Sequence, residues 1–311
     1  MSRPKKAVVT EVGPRDGFQI EHEFIPTATK IALINQLIDA GVPRVEFSSF
    51  VSPRAVPQLA DAAEVAAGVD RRGAALIALV PNAKGAARAV EAGADELCVF
   101  VSASESHNRK NVNRTVDESL RGFEEVMAIA GRAGTPVHGA IATSFGCPFE
   151  GDVPVEQVGR IAKAFLAMGM TGVGLGDTTG MATPPLVTER CRYLAEHVPD
   201  LPVTLHFHNT RGIGLVNVLV GLDEGVDSYE SSFAGLGGCP FAPGASGNIC
   251  TEDLVNLLHE MGIETGIDLD RLCGVAREVE QVIGRDLPGQ VMKAGPRLQL
   301  RAENEVRTAV G

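Results

Sequence analysis

The sequence predicts a (β/α)8 TIM barrel with a helical C-terminal extension. Short apolar runs alternate with amphipathic segments along most of the chain, which implies parallel strands covered by helices. Eight such units across roughly 260 residues match a closed barrel. The rival, an open dinucleotide-binding sheet, would carry G-x-G-x-x-G after its first strand, and that fingerprint is absent.

In chain order, Ala7–Val12 reads as the first strand and Thr29–Ala40 as a helix closed by Gly41. Strands follow at Arg44–Phe50, Ala74–Val80 and Glu96–Ser102, with helices at Val56–Ala66 and Ala83–Ala92 between them. Leu120, Phe123, Val126, Met127 and Ala130 form one helical face, and Thr115 with Glu118 fits a capping box before it. Strands at Val137–Thr143, Gly172–Leu175, Val203–His208 and Ser228–Phe233 complete the eight, with helices at Pro154–Met168, Pro185–His197 and Gly214–Leu222. The last strand, rich in serine, is the weakest by composition. A helix begins near Thr251 and another covers Leu269–Ile283. With no linker or low-complexity block, residues 1–311 read as one domain, the barrel over about 7–265 and C-terminal helices over 266–311.

A net charge of −11 argues against nucleic acid or an anionic membrane as partner. No apolar run reaches the length of about 18 residues that suggests a membrane span. The apolar stretch after the basic start meets Glu11 too early for a signal peptide. Cys98, Cys147, Cys191, Cys239, Cys250 and Cys273 show no CxxC pair, so buried thiols in a reducing, cytoplasmic setting are expected.

The stretch Gly235-Leu-Gly-Gly-Cys-Pro-Phe-Ala-Pro-Gly-Ala-Ser-Gly-Asn248 holds five glycines and two prolines in fourteen residues. It is neither helix nor strand, and loops of that length tend to be functional. Cys239 and Asn248 are its chemical groups. Strand ends supply others, because reactive groups gather at the C-terminal end of such a barrel. Arg15–Asp16 follows strand one, where a polar turn before Gly17 is the plain alternative. Glu46 is an acid inside an apolar strand and needs a partner; Arg15 is the candidate, and the pair could be purely structural. His206 and His208, at i and i+2 of a strand, share a face. They are half of a metal site, an acid–base pair or a hydrogen-bonded core feature. Asp177 ends strand six, where a helix N-cap is the alternative. Asp16, His206, His208 and Asn248 together offer two oxygens and two nitrogens, a set that with water suits six-coordinate Mg2+ or Mn2+, with Co2+ as the alternative, better than tetrahedral zinc.

These motifs resemble the 3-hydroxy-3-methylglutaryl-CoA lyases, within the metal-dependent barrel lyases and synthases. The resemblance spans about Val8 to Leu269. It is carried by Glu11-Val-Gly-Pro-Arg-Asp-Gly17 with Gln19 and Glu21, Ser49-Phe-Val-Ser-Pro-Arg54, Gly146-Cys-Pro-Phe-Glu-Gly151, Leu175-Gly-Asp-Thr178, His206-Phe-His208 and, most specifically, the glycine-rich loop. It implies a divalent cation (Mg2+ or Mn2+) held by Asp16, His206, His208 and Asn248, with Arg15, Glu46, Cys239 and Glu252 as catalytic groups. It implies a CoA thioester substrate, a homodimer and a setting in leucine degradation.

The reaction expected is retro-Claisen cleavage. The substrate hydroxyl loses its proton to Asp16 or His206, Arg15 stabilises the developing enolate, and Cys239 on its loop returns a proton to the acetyl-CoA enolate. Glu252 has a plain alternative, since an acid suits the first turn of a helix. For the CoA phosphates, Arg54, Lys84, Arg109 and Lys110 are the basic candidates. Asn209 and Arg211 stand where these lyases usually carry Asp and Tyr, Ile20 replaces an Asn, and His107 marks a variant loop after strand four. All four are expected near the mouth, where they bear on the acyl group. Alternatives are a lyase for a related 3-hydroxyacyl-CoA (citramalyl-CoA or a longer 3-substituted glutaryl-CoA), a condensing acyltransferase, and a non-catalytic CoA- or metal-binding barrel.

Overall fold

A computed structural model describes residues 3–238 and 247–298. Eight parallel strands close in sequence order: β1 (Val8–Glu11), β2 (Arg44–Ser49), β3 (Ala75–Leu79), β4 (Glu96–Ser102), β5 (Val137–Ala142), β6 (Val173–Gly176), β7 (Val203–His206) and β8 (Ser228–Ser231). Pairing of β8 with β1, through Val8–Ser228 to Glu11–Ser231, completes the ring. Helices α1 (Thr27–Asp39), α2 (Ala62–Gly68), α3 (Ala83–Glu91), α4 (Glu105–Val112), α5 (Val116–Ala133), α6 (Val155–Met168), α7 (Pro184–His197) and α8 (Gly214–Asp223) follow their strands. After β8 come α9 (Thr251–Glu260), α10 (Leu269–Ile283) and α11 (Val291–Ala294). Among the described residues no helix is long and apolar enough to cross a membrane.

The core lies between strands and helices. Val9, Val45, Leu76, Leu97, Val99, Leu205 and Tyr229 are fully buried on the strands, against Leu33, Val65, Val126, Ile161, Val187 and Leu222 of the helices. Each such side chain contributes about 1.5–3 kcal/mol by leaving water. The five described cysteines, Cys98, Cys147, Cys191, Cys250 and Cys273, are free and buried, as expected of small apolar residues.

Several boundaries differ from the sequence expectation for local reasons. The helix expected at Val56–Ala66 is a short 3-10 turn, Pro57–Leu59, followed by α2. Pro57 disfavours helical backbone at the residue before it, and Val56 is extended there. Helix α4 was not foreseen because Glu105–Val112 is almost wholly polar and has no apolar stripe. It starts instead on a cap, Ser104 Oγ accepting from His107 N. The capping box of Thr115 and Glu118 is present as expected.

The axis of the barrel is unusual. Barrel interiors of this class are normally filled by layers of Val, Ile and Leu. Here Thr10, Arg44, Glu46, Glu96, Cys98, His138, Thr204, Ser228 and Glu230 line it and leave a cavity of about 350 Å3 towards the N-terminal ends of the strands. A larger cavity of about 740 Å3 opens at the opposite end, and Glu46, Cys98 and Glu230 line both.

Candidate active site

The larger cavity is built first by the end of β1. Glu11, fully buried, accepts from Gly13 N (2.7 Å), Phe233 N (2.9 Å) and Thr251 Oγ1 (2.6 Å). Burial pushes its carboxyl up to about 7 against those three bonds. The chain then takes one π-helical turn, Gly13–Gly17. In an extended strand, neighbours point to opposite faces; the turn instead sends Arg15 and Asp16 the same way. Arg15 donates to Glu46 Oε2 through Nε (2.6 Å) and to Asp16 Oδ1 through Nη1 (2.6 Å), with Nη2 at 2.5 Å from Glu46 Oε2. Asp16 also accepts from Gln19 Nε2 and, on its other oxygen, from Asn248 Nδ2, both at 2.8 Å.

Burial opposes charge on Asp16, yet Arg15, His206, His208 and Asn248 together hold its carboxyl below the ordinary value. Burial, helped by Glu230, pushes Glu46 up against the pull of Arg15. Glu46 stands on β2 where the register against β3 shifts between Glu46 and Ser48.

The opposite wall comes from β7 and the glycine-rich loop. The strand was expected to run to His208 but stops at His206, and His208 forms an isolated bridge with Asn248. Backbone pairing thus brings two of the expected ligands together across forty positions of sequence. His206 Nε2 and His208 Nε2 face each other at 3.1 Å. Burial lowers His206, but its bond to Glu230 outweighs this and its pKa is raised; burial and the neighbouring His206 push His208 down to about 3.

Ligand atoms of Asp16, His206 and His208 lie within 4.8 Å of one another. Asn248 Oδ1 and His208 Nδ1 are buried without a hydrogen-bond partner among the described residues. Buried polar atoms are nearly always satisfied. A convergent oxygen–nitrogen set with an unsatisfied amide oxygen therefore fits a divalent cation.

Other expected residues fall elsewhere. Asp177 does not line the cavity, and the helix cap is Thr183, not Asp177. Asp177 is buried, accepts from Ala182 N (2.8 Å) and His208 N (3.4 Å), and is pushed up to about 7 by burial. It organises the loop after β6 and the backbone of His208. Glu252, also fully buried, accepts from Ala234 N (3.0 Å) beneath the root of the glycine-rich loop and does not line the cavity. Burial raises it to about 8. Their bonded carboxylate oxygens are turned to backbone N–H groups, while Glu252 Oε1 has no hydrogen-bond partner among the described residues; the expected part of both as reacting groups stays a proposal.

Cys239 lies outside the described residues. Arg54, Lys84, Arg109 and Lys110 are exposed. Arg109 approaches Glu105 at 3.9 Å, and Lys110 stands 3.8 Å over the Phe149 ring. None of the four lines the cavity, whereas Arg114 does. Ile20 and His107 line it as well. Asn209 and Arg211 do not: Asn209 Oδ1 accepts from Gly214 N, and Arg211 donates to the carbonyls of Thr179 and Gly180. Those two departures tie loops together and do not line the cavity.

Sequence reasoning missed Glu230, whose Oε2 is 2.9 Å from His206 Nδ1. The available signal was an acid at an inward position of β8, the same signal that singled out Glu46. It also passed over Arg114, whose position follows only from the α4–α5 turn.

This arrangement defines a (β/α)8-barrel enzyme with a fixed Arg–carboxylate cluster facing a candidate cation site at the C-terminal ends of its strands. The HMGL-like family profile matches residues 6–279, and the chain belongs to that family. It is 45% identical over 291 residues to the hydroxymethylglutaryl-CoA lyase YngG of Bacillus subtilis, covering 93% of this chain and 97% of that one. It is 43% identical to the mitochondrial hydroxymethylglutaryl-CoA lyase of Gallus gallus, with 95% and 99% covered. Among solved structures, an HMG-CoA lyase from Acinetobacter baumannii in complex with coenzyme A and 3-methylmalate superimposes with a TM-score of 0.91. The identity is 47%, over 96% of this chain and 98% of that one.

Proposed function

We propose that this protein is a carbon–carbon lyase that cleaves 3-hydroxy-3-methylglutaryl-CoA to acetyl-CoA and acetoacetate. The observation that carries the reading is the convergence of Arg15, Asp16, Glu46, His206 and His208 on one cavity, with Asn248 hydrogen-bonded to Asp16, in a chain whose relatives are hydroxymethylglutaryl-CoA lyases.

Arg15 is held by two carboxylates at once, so its guanidinium is fixed in place before substrate arrives. A preorganised cation aimed at developing enolate charge stabilises the transition state more than the ground state. Asp16, held ionised by its surroundings, takes the hydroxyl proton. Cys239, in the loop rooted at Gly235 and Gly237, is assigned the return of a proton to the enolate carbon. Asp16, His206, His208 and Asn248 would hold Mg2+ or Mn2+, which when bound acidifies and orients a substrate hydroxyl. Arg114, which lines the cavity, and the exposed Arg54, Lys84, Arg109 and Lys110 are assigned to the CoA phosphates. A cytoplasmic homodimer acting in leucine degradation completes the proposal.

The test is acetyl-CoA release from 3-hydroxy-3-methylglutaryl-CoA with Mg2+ or Mn2+, repeated after EDTA. Turnover abolished by chelation and restored by metal is the expected result. Turnover that survives chelation removes the cation from the reading. A protein that binds metal but leaves this thioester intact moves the substrate to a related 3-hydroxyacyl-CoA, with His107 as the first residue to exchange.

A further inference from the structure

The two histidines of the candidate cation site are unequal. His206 Nδ1 lies 2.9 Å from Glu230 Oε2. His208 Nδ1 is buried with no partner among the described residues. An ionised carboxylate offers only acceptor oxygens, so the bond to Glu230 requires the proton of His206 to sit on Nδ1. The other ring nitrogen, Nε2, lies 3.1 Å from His208 Nε2, in the cluster that also holds Asp16. Glu230 belongs to β8, where Glu230 pairs in register with His206 of β7. The hydrogen bond therefore follows from the barrel's own strand pairing, independent of any loop.

We propose that Glu230 is a positioning residue: by keeping the Nδ1 proton of His206 in place, it presents Nε2 as the donor atom toward a divalent cation. His206 becomes the anchoring histidine and His208 the adaptable one. A carboxylate behind a ligating imidazole fixes both tautomer and ring orientation. This inference rests on the cation reading given above. It adds a residue on the weakest-looking strand of the sequence, and it explains why a charged acid is kept on the barrel axis where apolar layers are the norm.

The experiment compares wild type, Glu230→Gln and Glu230→Ala in three measurements: Mn2+ affinity by calorimetry, the histidine tautomer by 15N NMR of the metal-free protein, and the melting temperature. Expected for Glu230→Ala is Mn2+ affinity about 10–100-fold weaker, the range found when such supporting groups are removed, together with loss of the Nδ1–H signature of His206. Glu230→Gln, whose amide oxygen still accepts from Nδ1–H, is expected to keep the tautomer and lose less affinity. On a His206→Ala background, Glu230→Ala is expected to cost no further affinity, since the coupling runs through that ring.

Mn2+ affinity within twofold of wild type in Glu230→Ala overturns the proposal. So does an equal loss on the His206→Ala background, which would mark Glu230 as merely structural. If Glu230→Ala does not fold, Glu230→Gln decides through the tautomer signal, whose loss there also overturns the proposal. Wild type that binds no Mn2+ overturns the cation reading itself, a result distinct from all of these.

Discussion

The two ends of the barrel axis hold the same kinds of residue and do different things with them. At the C-terminal end Arg15 is locked to Glu46, with His206 and Glu230 beside them. At the N-terminal end Arg44 is bound to Glu96 at 2.6 Å, with His138 nearby in the smaller cavity. Arginine, glutamate and histidine are thus common to both. Only the upper end adds Asp16 from a π-helical turn, His208 from beyond a strand and Asn248 from a long loop. Among the described residues the lower end has nothing comparable, because the turns there are short and lead into strands. What separates the proposed reaction centre from an internal ion pair is therefore the set of loops that bring further groups to the same space, not the presence of charge on the axis.

The largest effect that would break the comparison is on Arg15. Arg15→Gln is expected to lower kcat by about 100–1000-fold, the usual loss on removing one preorganised donor. Arg44→Gln, measured by the same acetyl-CoA release, should stay within a few-fold of wild type. Equal losses would mean that the whole axis, and not its upper end, is the catalytic unit.

A contrast in glycines sharpens it next. Gly237 has φ of +109°, and a Cβ there would collide with Asn248 Nδ2 and lie 3.0 Å from Asp16 Oδ2. Gly237→Ala should cut activity at least tenfold while the protein remains folded by circular dichroism. Gly172 at the lower end has no such backbone demand, and its Cβ would meet His138 Nδ1 at 2.9 Å. Gly172→Ala is expected to retain nearly full activity.

A subtler effect concerns pH and stability. Burial raises Glu252 from 4.5 to about 8, so the folded protein keeps a proton that the unfolded chain releases above pH 4.5. A raised acid contributes its favourable difference below the unfolded value and loses it as pH climbs towards the folded one. Stability should therefore fall between about pH 4.5 and 8, with Glu252 contributing a few kcal/mol of that slope. Glu252→Gln should flatten it in melting experiments at a series of pH values. An unchanged slope would assign the pH response to the other buried acids, Glu11 and Asp177.

Much of this was legible in the sequence. Periodicity alone located all eight strands, because an apolar run between turn residues has few other fates. Asp16, His206, His208 and Asn248 were each visible as polar groups at strand or loop ends, and Arg15 was visible as the partner of Glu46. Helix α4 was not visible, since its start depends on the cap at Ser104 and not on an apolar face. Asp177 and Glu252 were visible as acids but not as acids turned away from the cavity. Which way a carboxylate points is decided by the backbone donors around it, and those come from distant segments.

The sequence by itself determined the barrel and the chemical inventory of its mouth, because both depend on local pattern: alternation, turn composition and residue type. Only the tertiary structure decided which members of that inventory meet. The π-helical turn sets Arg15 and Asp16 side by side. The bridge from His208 to Asn248 brings two of the proposed ligands together, and the register of β7 on β8 puts Glu230 behind His206. Each depends on contacts between residues far apart in the chain, and no periodicity within a single segment encodes them.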